Sequence, residues 1–124
     1  MQPKRPKHLN LMQIRLPLPG VVSILHRISG ALLFLALPLL LSLLQRSLAT
    51  PEAFVALREC LSSPAAKLAL LGLLWAYLHH FCAGLRFLAL DLHWGIDLPR
   101  ARATSWAVLA ASLGLTALLG GLLW

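Results

Sequence analysis

Three stretches of this chain, Val21 to Leu44, Leu68 to Leu90 and Trp106 to Trp124, are almost continuously apolar. Each passes the roughly 18 residues at which a helix becomes long enough to cross a hydrocarbon core. Lipid offers the main chain no hydrogen-bond partners, so such runs are held to helix. Of the 124 residues, 59% are hydrophobic and 12% charged, which leaves little chain for a soluble core. The expected fold class is therefore an all-α membrane protein. An N-terminal arm, residues 1–20, precedes three transmembrane helices over about 21–45, 66–91 and 104–124.

The net charge of +7 does not mark a nucleic-acid binder, because the basic residues are spread over loops rather than gathered on one folded surface. They read instead as topology signals. Lys4, Arg5, Lys7, Arg15 and Arg27 precede the first fully apolar run with no acid among them, whereas Arg46, Arg58 and Lys67 are mixed with Glu52 and Glu59. By the positive-inside rule the N-terminus is cytoplasmic, and three spans place Trp124 on the outer, periplasmic side of a bacterial inner membrane. Arg100 and Arg102 in the second loop agree with that orientation. Pro3, Pro6, Pro17 and Pro19 make a regular helix before Val21 improbable and suggest an arm along the cytoplasmic face, where its cations meet lipid headgroups or a soluble partner. A basic region followed by prolines and a full-length span lacks the form of a cleaved signal, so the N-terminus is expected to be retained.

Between the first two spans, Pro51 and Pro64 bracket a segment in which Thr50 is placed to cap a short surface helix. No chemistry is evident in it. Cys60 lies in this loop and Cys82 inside the second span, so a disulfide between them is not expected. Cys82 is most simply a small packing residue, and the chain has no C-x-x-C-H for covalent haem attachment.

Chemistry is concentrated in the middle span, AAKLALLGLLWAYLHHFCAGLRFLALD, which carries His79, His80 and Arg86 at depths where ionisable groups are costly. His80 lies about 20 Å along the axis from Lys67 and about 16 Å from Asp91, near the midplane and displaced toward the inner side. His79 points about 100° away from it, so the two cannot ligate one iron. Gly84, one turn on, leaves the His80 face without a side chain, giving room for a flat macrocycle or for ordinary close helix packing. Iron ligation by one of the two histidines and a hydrogen-bonded packing role are the competing readings. The opening of the first span, VVSILHRISG, places Ser23, Arg27 and Gly30 along one line of a helix, with His26 on an adjoining edge. Arg27 is close enough to the interface to snorkel. The hydroxyl and imidazole beside it favour a binding role over topology alone. Pro38 should bend the first span, and Gly114, Gly121, Ser112 and Ala117 give the third span surfaces for close helix approach. Trp94, Trp106 and Trp124 suit the headgroup level.

The runs RPKHLNL, LPGVVSILHRISG and HHFCAGLRFLALD, set in three spans, resemble the larger cytochrome b membrane-anchor subunit of succinate dehydrogenase over nearly the whole chain. The resemblance implies one haem b held with a second small three-span anchor subunit, each chain giving one axial histidine. The ligand position falls on His80, four residues before Gly84 and six before Arg86. The quinone-contacting serine and arginine fall on Ser23 and Arg27, and His26 falls where the family reaches toward the haem propionates. On physical grounds propionates in low dielectric need cations, for which Arg27, His26 and Arg86 are the candidates. The family often has histidine directly after the arginine of the second span; here that position is Phe87. The implied function is succinate:quinone oxidoreduction, or complex II, with ubiquinone as electron acceptor. Flavoprotein and iron-sulfur subunits oxidise succinate on separate chains.

That function agrees with the chemistry of the residues. Quinone reduction consumes two electrons and two protons, and needs a hydrogen-bond donor and a cation at the oxygens that gain charge, which Ser23 and Arg27 can supply. A small transporter subunit is the rival in another class, and it is opposed by the four acids all lying in loops or at span ends. A haem-free structural anchor is a third reading, opposed by His80 and Gly84. A diheme cytochrome of the fumarate reductase type needs two ligand pairs, whereas His8 and His93 lie outside the spans.

Overall fold

The computed structural model describes residues 15–124 and is helical, with no strand among them. The structure of the N-terminal arm up to residue 14 lies outside the described residues. Four helices follow in order: α1 (Leu18–Ala49), α2 (Pro51–Leu61), α3 (Pro64–Asp91) and α4 (Leu98–Leu123). Helices α1, α3 and α4 are long and apolar enough to cross a membrane. The central one, α3, packs against both of the others, and α1 touches α4 more lightly.

Each helix starts on a proline in its first turn, where the missing N–H has no partner to lose. Thr50 caps α2 through its hydroxyl, which accepts from the Ala53 N–H at 3.1 Å, as its place before Pro51 suggested. Ser63 does the same for α3 through the Ala66 N–H, and Asp97 for α4 through the Arg100 N–H. The caps on α3 and α4 explain why those helices begin before their apolar stretches. Helix α1 begins at Leu18 rather than Val21, because Pro19 is tolerated in an opening turn. It continues through Gln45 to Ala49, where nothing interrupts it before Thr50 and Pro51, and Pro38 lies inside it without ending it. The last begins at Leu98, so Arg100 and Arg102 are on α4 rather than in a loop.

The turn between α3 and α4 is compact. His93 N–H bonds the Leu90 carbonyl at 2.9 Å and Trp94 N–H bonds the Ala89 carbonyl at 3.0 Å, the paired closure of a helix C-terminus through a left-handed residue. That residue is His93, with φ of 61°, and Gly95 follows with φ of 74°. The imidazole at position 93 thus stands on a conformation that glycine adopts most readily.

Little is buried. Val22, Ala83 and Val108, one from each spanning helix, form the centre, with Cys82, Phe87 and Leu109 packed around it. Ser105 and Ser112 are fully buried on α4, and their hydroxyls bond back to the carbonyls of Ala101 and Leu109, so they present small surfaces without unsatisfied donors. Large aliphatic and aromatic side chains, Phe34, Leu35, Leu48, Leu88 and Leu122 among them, point outward. Such a surface suits lipid and neighbouring membrane helices rather than water. Cys60 and Cys82 are both free.

Candidate functional site: an imidazole pair between α1 and α3

The antiparallel packing of α1 on α3 brings the opening of the first span against the middle of the second. His26 from α1 and His80 from α3 stack with ring centroids 4.2 Å apart and planes 6° from parallel. The Nδ1 of His80 lies 3.0 Å from the His26 carbonyl oxygen, so Nδ1 carries the proton and donates it. Ser29 Oγ donates to that same carbonyl at 2.9 Å and stands 3.4 Å from Nδ1. One ring nitrogen of His80 is therefore committed to α1. This arrangement leaves Nε2 with a lone pair, the tautomer a metal ligand requires.

Gly30 makes the pairing fit, and Gly84 borders it. A Cβ added to Gly30 would come within 2.8 Å of His80 Cε1, a distance real Cβ atoms do not show. Gly84 faces His26, and a Cβ there would sit 3.7 Å from its Nε2. The opening beside Gly84 expected from sequence is thus bordered by the imidazole from α1. Gly30 was legible as one of the residues lining α1, but its clearance for His80 depends on the crossing of two helices and has no local signal.

The two adjacent histidines of α3 have different surroundings. His79 is completely buried, with its ring 5.3 Å from that of Trp75 one turn earlier. It lies in the helical core, and neither of its ring nitrogens has a well-formed hydrogen bond; Trp75 Nε1 is likewise unpartnered. His80 is only partly buried, on the flank where α1 and α3 meet. A group shared with another chain can reach His80 without dismantling the bundle, which is not true of His79.

Arg86 is turned to the other side of α3. Its Nε donates to Thr104 Oγ1 at 3.0 Å and its Nη2 to the Ala101 carbonyl at 3.3 Å, both on α4. The structure does not bring it to the imidazole pair. Phe87, which stands where histidine was looked for, lies between the two environments: its ring centroid is 5.1 Å from that of His26 and 5.4 Å from Arg86 Cζ. Ser23 is half-buried and Arg27 exposed, one turn apart on α1, flanking the buried Val22 and next to His26. Their side chains make no hydrogen bond among the described residues, which leaves the hydroxyl and guanidinium available to a ligand. No group of three potential metal-binding side chains occurs among the described residues.

The fold and this site define a class: a multi-pass helical membrane protein with an ordered intramembrane imidazole beside a cationic helix entrance. Residues 1–119 match the family described as "Succinate dehydrogenase/Fumarate reductase transmembrane subunit". The chain is 38% identical to the succinate dehydrogenase cytochrome b556 subunit of Coxiella burnetii, with both chains covered in full. It is 33% identical to the subunit of that name from Paracoccus denitrificans, over 92% of this chain and 88% of the relative. A third such subunit, from Rickettsia felis, is 31% identical over 94% of this chain and 90% of its own length. The chain belongs to this family of succinate dehydrogenase anchor subunits, as a multi-pass protein of the bacterial inner membrane.

Proposed function

We propose that this chain holds a haem b through His80 and forms part of the site at which electrons from succinate reduce ubiquinone. The observation that carries the reading is the contrast within the histidine pair of α3. His79 is sealed in the core, whereas His80 is partly exposed, is fixed through Nδ1 and keeps Nε2 for iron. One imidazole cannot hold a bare ion, so the residues suit a metal that brings its own macrocycle. His80 is only partly buried and Nδ1 is the nitrogen already bonded, which supports an approach to such a group through Nε2. A haem held here by His80 and by a histidine of a partner anchor subunit would supply one-electron transfer rather than oxygen chemistry.

In this reading His80 ligates, and His26 and Arg27 offer hydrogen bonds and positive charge to the propionates from the entrance of α1. Gly84 keeps the face of α3 low. Arg86, hydrogen-bonded to α4, acts on the propionates only through its charge at a distance. For the quinone, Ser23 donates a hydrogen bond to a carbonyl oxygen, and Arg27 stabilises the negative charge that develops on reduction. The cytoplasmic N-terminus expected from the charge pattern opens this site to the side from which protons are taken. The reading assigns the oxidation of succinate to flavoprotein and iron-sulfur subunits docked at that face. A second three-span anchor lies in the bilayer beside α1 and α3, and nucleic acid has no role.

The test is a reduced-minus-oxidised spectrum of the purified complex carrying His80→Ala, which should lose or strongly alter the b-type signal. An unchanged spectrum rejects the ligand. Ser23→Ala and Arg27→Leu should lower succinate-to-quinone turnover severalfold while succinate oxidation with an artificial acceptor survives. Equal loss of both activities rejects the quinone assignment.

A further inference from the structure

We infer that the Ser29–Gly30 pair of α1 is a positioning device for His80: it fixes the tautomer and angle of the imidazole and so sets how strongly Nε2 donates to iron. The inference rests on the ligand reading above but concerns residues that reading leaves without a role.

Three contacts converge on one ring. The main-chain carbonyl of His26 accepts from Nδ1 at 3.0 Å. The Ser29 hydroxyl donates to that carbonyl at 2.9 Å, and its oxygen lies 3.4 Å from the same Nδ1. Ser29 is 3% exposed, so water does not compete at this point. Gly30 is the third contact, because its missing side chain admits the Cε1 edge that any Cβ would push away. Residues 26, 29 and 30 share this side of α1 because they are spaced by one turn. Among the described residues none bonds Nε2.

The consequence for a ligand is specific. An Nδ1–H that donates to a carbonyl makes the imidazole a stronger base at Nε2, and partners of this kind orient metal-bound histidines and raise ligand basicity. A stronger donor favours ferric over ferrous iron, which lowers the reduction potential. Weakening the Nδ1–H bond should therefore raise the potential. Gly30→Ala forces the ring to tilt or retreat from the carbonyl. Ser29→Ala removes the second oxygen near Nδ1, whereas Ser29→Thr keeps it.

The experiment compares Ser29→Ala, Ser29→Thr, Gly30→Ala and His80→Ala in the assembled complex, with Gly114→Ala as a control, since a Cβ at Gly114 meets nothing within 4 Å. Readouts are the midpoint potential of the b-type centre and the low-spin ferric EPR signal, neither of which depends on turnover. Ser29→Ala is expected to raise the potential by a severalfold change in the ferric–ferrous equilibrium and to move the EPR signal. Ser29→Thr should restore both, and Gly114→Ala should leave both at wild-type values. Gly30→Ala should shift the signals further or reduce haem loading. If Gly30→Ala fails to assemble, the Ser29 pair decides the question. Wild-type potential and EPR signal in Ser29→Ala overturn the positioning role while His80→Ala still loses the centre. An unchanged spectrum in His80→Ala overturns the ligand reading itself.

Discussion

Thr104→Val separates two roles for Arg86, as a clamp between α3 and α4 or as a charge whose position matters to the centre beside His80. Arg86 is 8% exposed, and among the described residues its guanidinium has only neutral acceptors: Thr104 Oγ1 at 3.0 Å and the Ala101 carbonyl at 3.3 Å. Valine keeps nearly the shape of threonine, so the substitution removes the acceptor without opening a cavity. A hydrogen bond to a charged group contributes about 1.5–3 kcal/mol, and stranding the buried donor adds to the loss. The Ala101 carbonyl still holds Nη2, and Thr104 is itself exposed enough for water or a headgroup to replace it in part. The expected cost therefore falls near the lower end, about 1.5 kcal/mol, which corresponds to about a tenfold change in an equilibrium or rate. In detergent-solubilised complex the half-life of the b-type spectrum at elevated temperature should shorten severalfold to about tenfold. Thr104→Ser should stay close to wild type, and the midpoint potential should be unchanged in both. A wild-type half-life for Thr104→Val, or equal damage from Thr104→Ser, refutes the clamp. A shifted potential with normal stability places Arg86 with the redox centre instead.

Two further outcomes concern the helix ends. Thr50→Ala should cost about 1 kcal/mol at the start of α2, seen as severalfold faster amide exchange in the first turn with the b-type spectrum unchanged. Exchange that stays at wild-type rates counts against the cap. The Glu52 carboxyl is held below its ordinary range, first by its own main-chain N–H and then by the Thr50 hydroxyl. Its stabilising effect is thus complete above the unfolded pKa and fades as pH falls through the lower folded value. The protection of the first turn of α2, taken relative to the intrinsic exchange rate at each pH, should accordingly fall in acid, and Glu52→Gln should flatten that dependence. His93→Gly should relieve the left-handed conformation and stabilise the α3–α4 turn by up to about 1 kcal/mol. Slower thermal loss of the spectrum would show it, and accelerated loss would mean that the imidazole makes a contact that outweighs the backbone gain.

Hydropathy made the three spans legible because a lipid-facing helix needs no partner to declare itself: Leu and Ala face outward along α1 and α4, with Phe34 on the first and Trp106 on the second. The caps were partly legible for the opposite reason, being local. Thr50 before Pro51 can be read from neighbouring residues alone, yet the same chemistry at Ser63–Pro64 and Asp97 extended α3 and α4 beyond the apolar limits. His93 shows where local reading stops, because a histidine in the left-handed region has no distinctive sequence around it beyond Gly95 two residues later. At the site, helical spacing separated His79 from His80 by about 100° and placed Ser23, Arg27 and Gly30 together. It did not say which of the two histidines faces the core, since that depends on how α3 is rotated between α1 and α4. Only the assembled bundle shows His79 closed off and His80 held by a carbonyl of another helix. Arg86 makes the same point in reverse: six residues from His80 along the sequence, it belongs to a different face, and two acceptors on α4 fix it there. A residue's depth in the membrane can be estimated by counting along one helix. Its partner cannot, because the partner is set by the neighbour that the helix packs against.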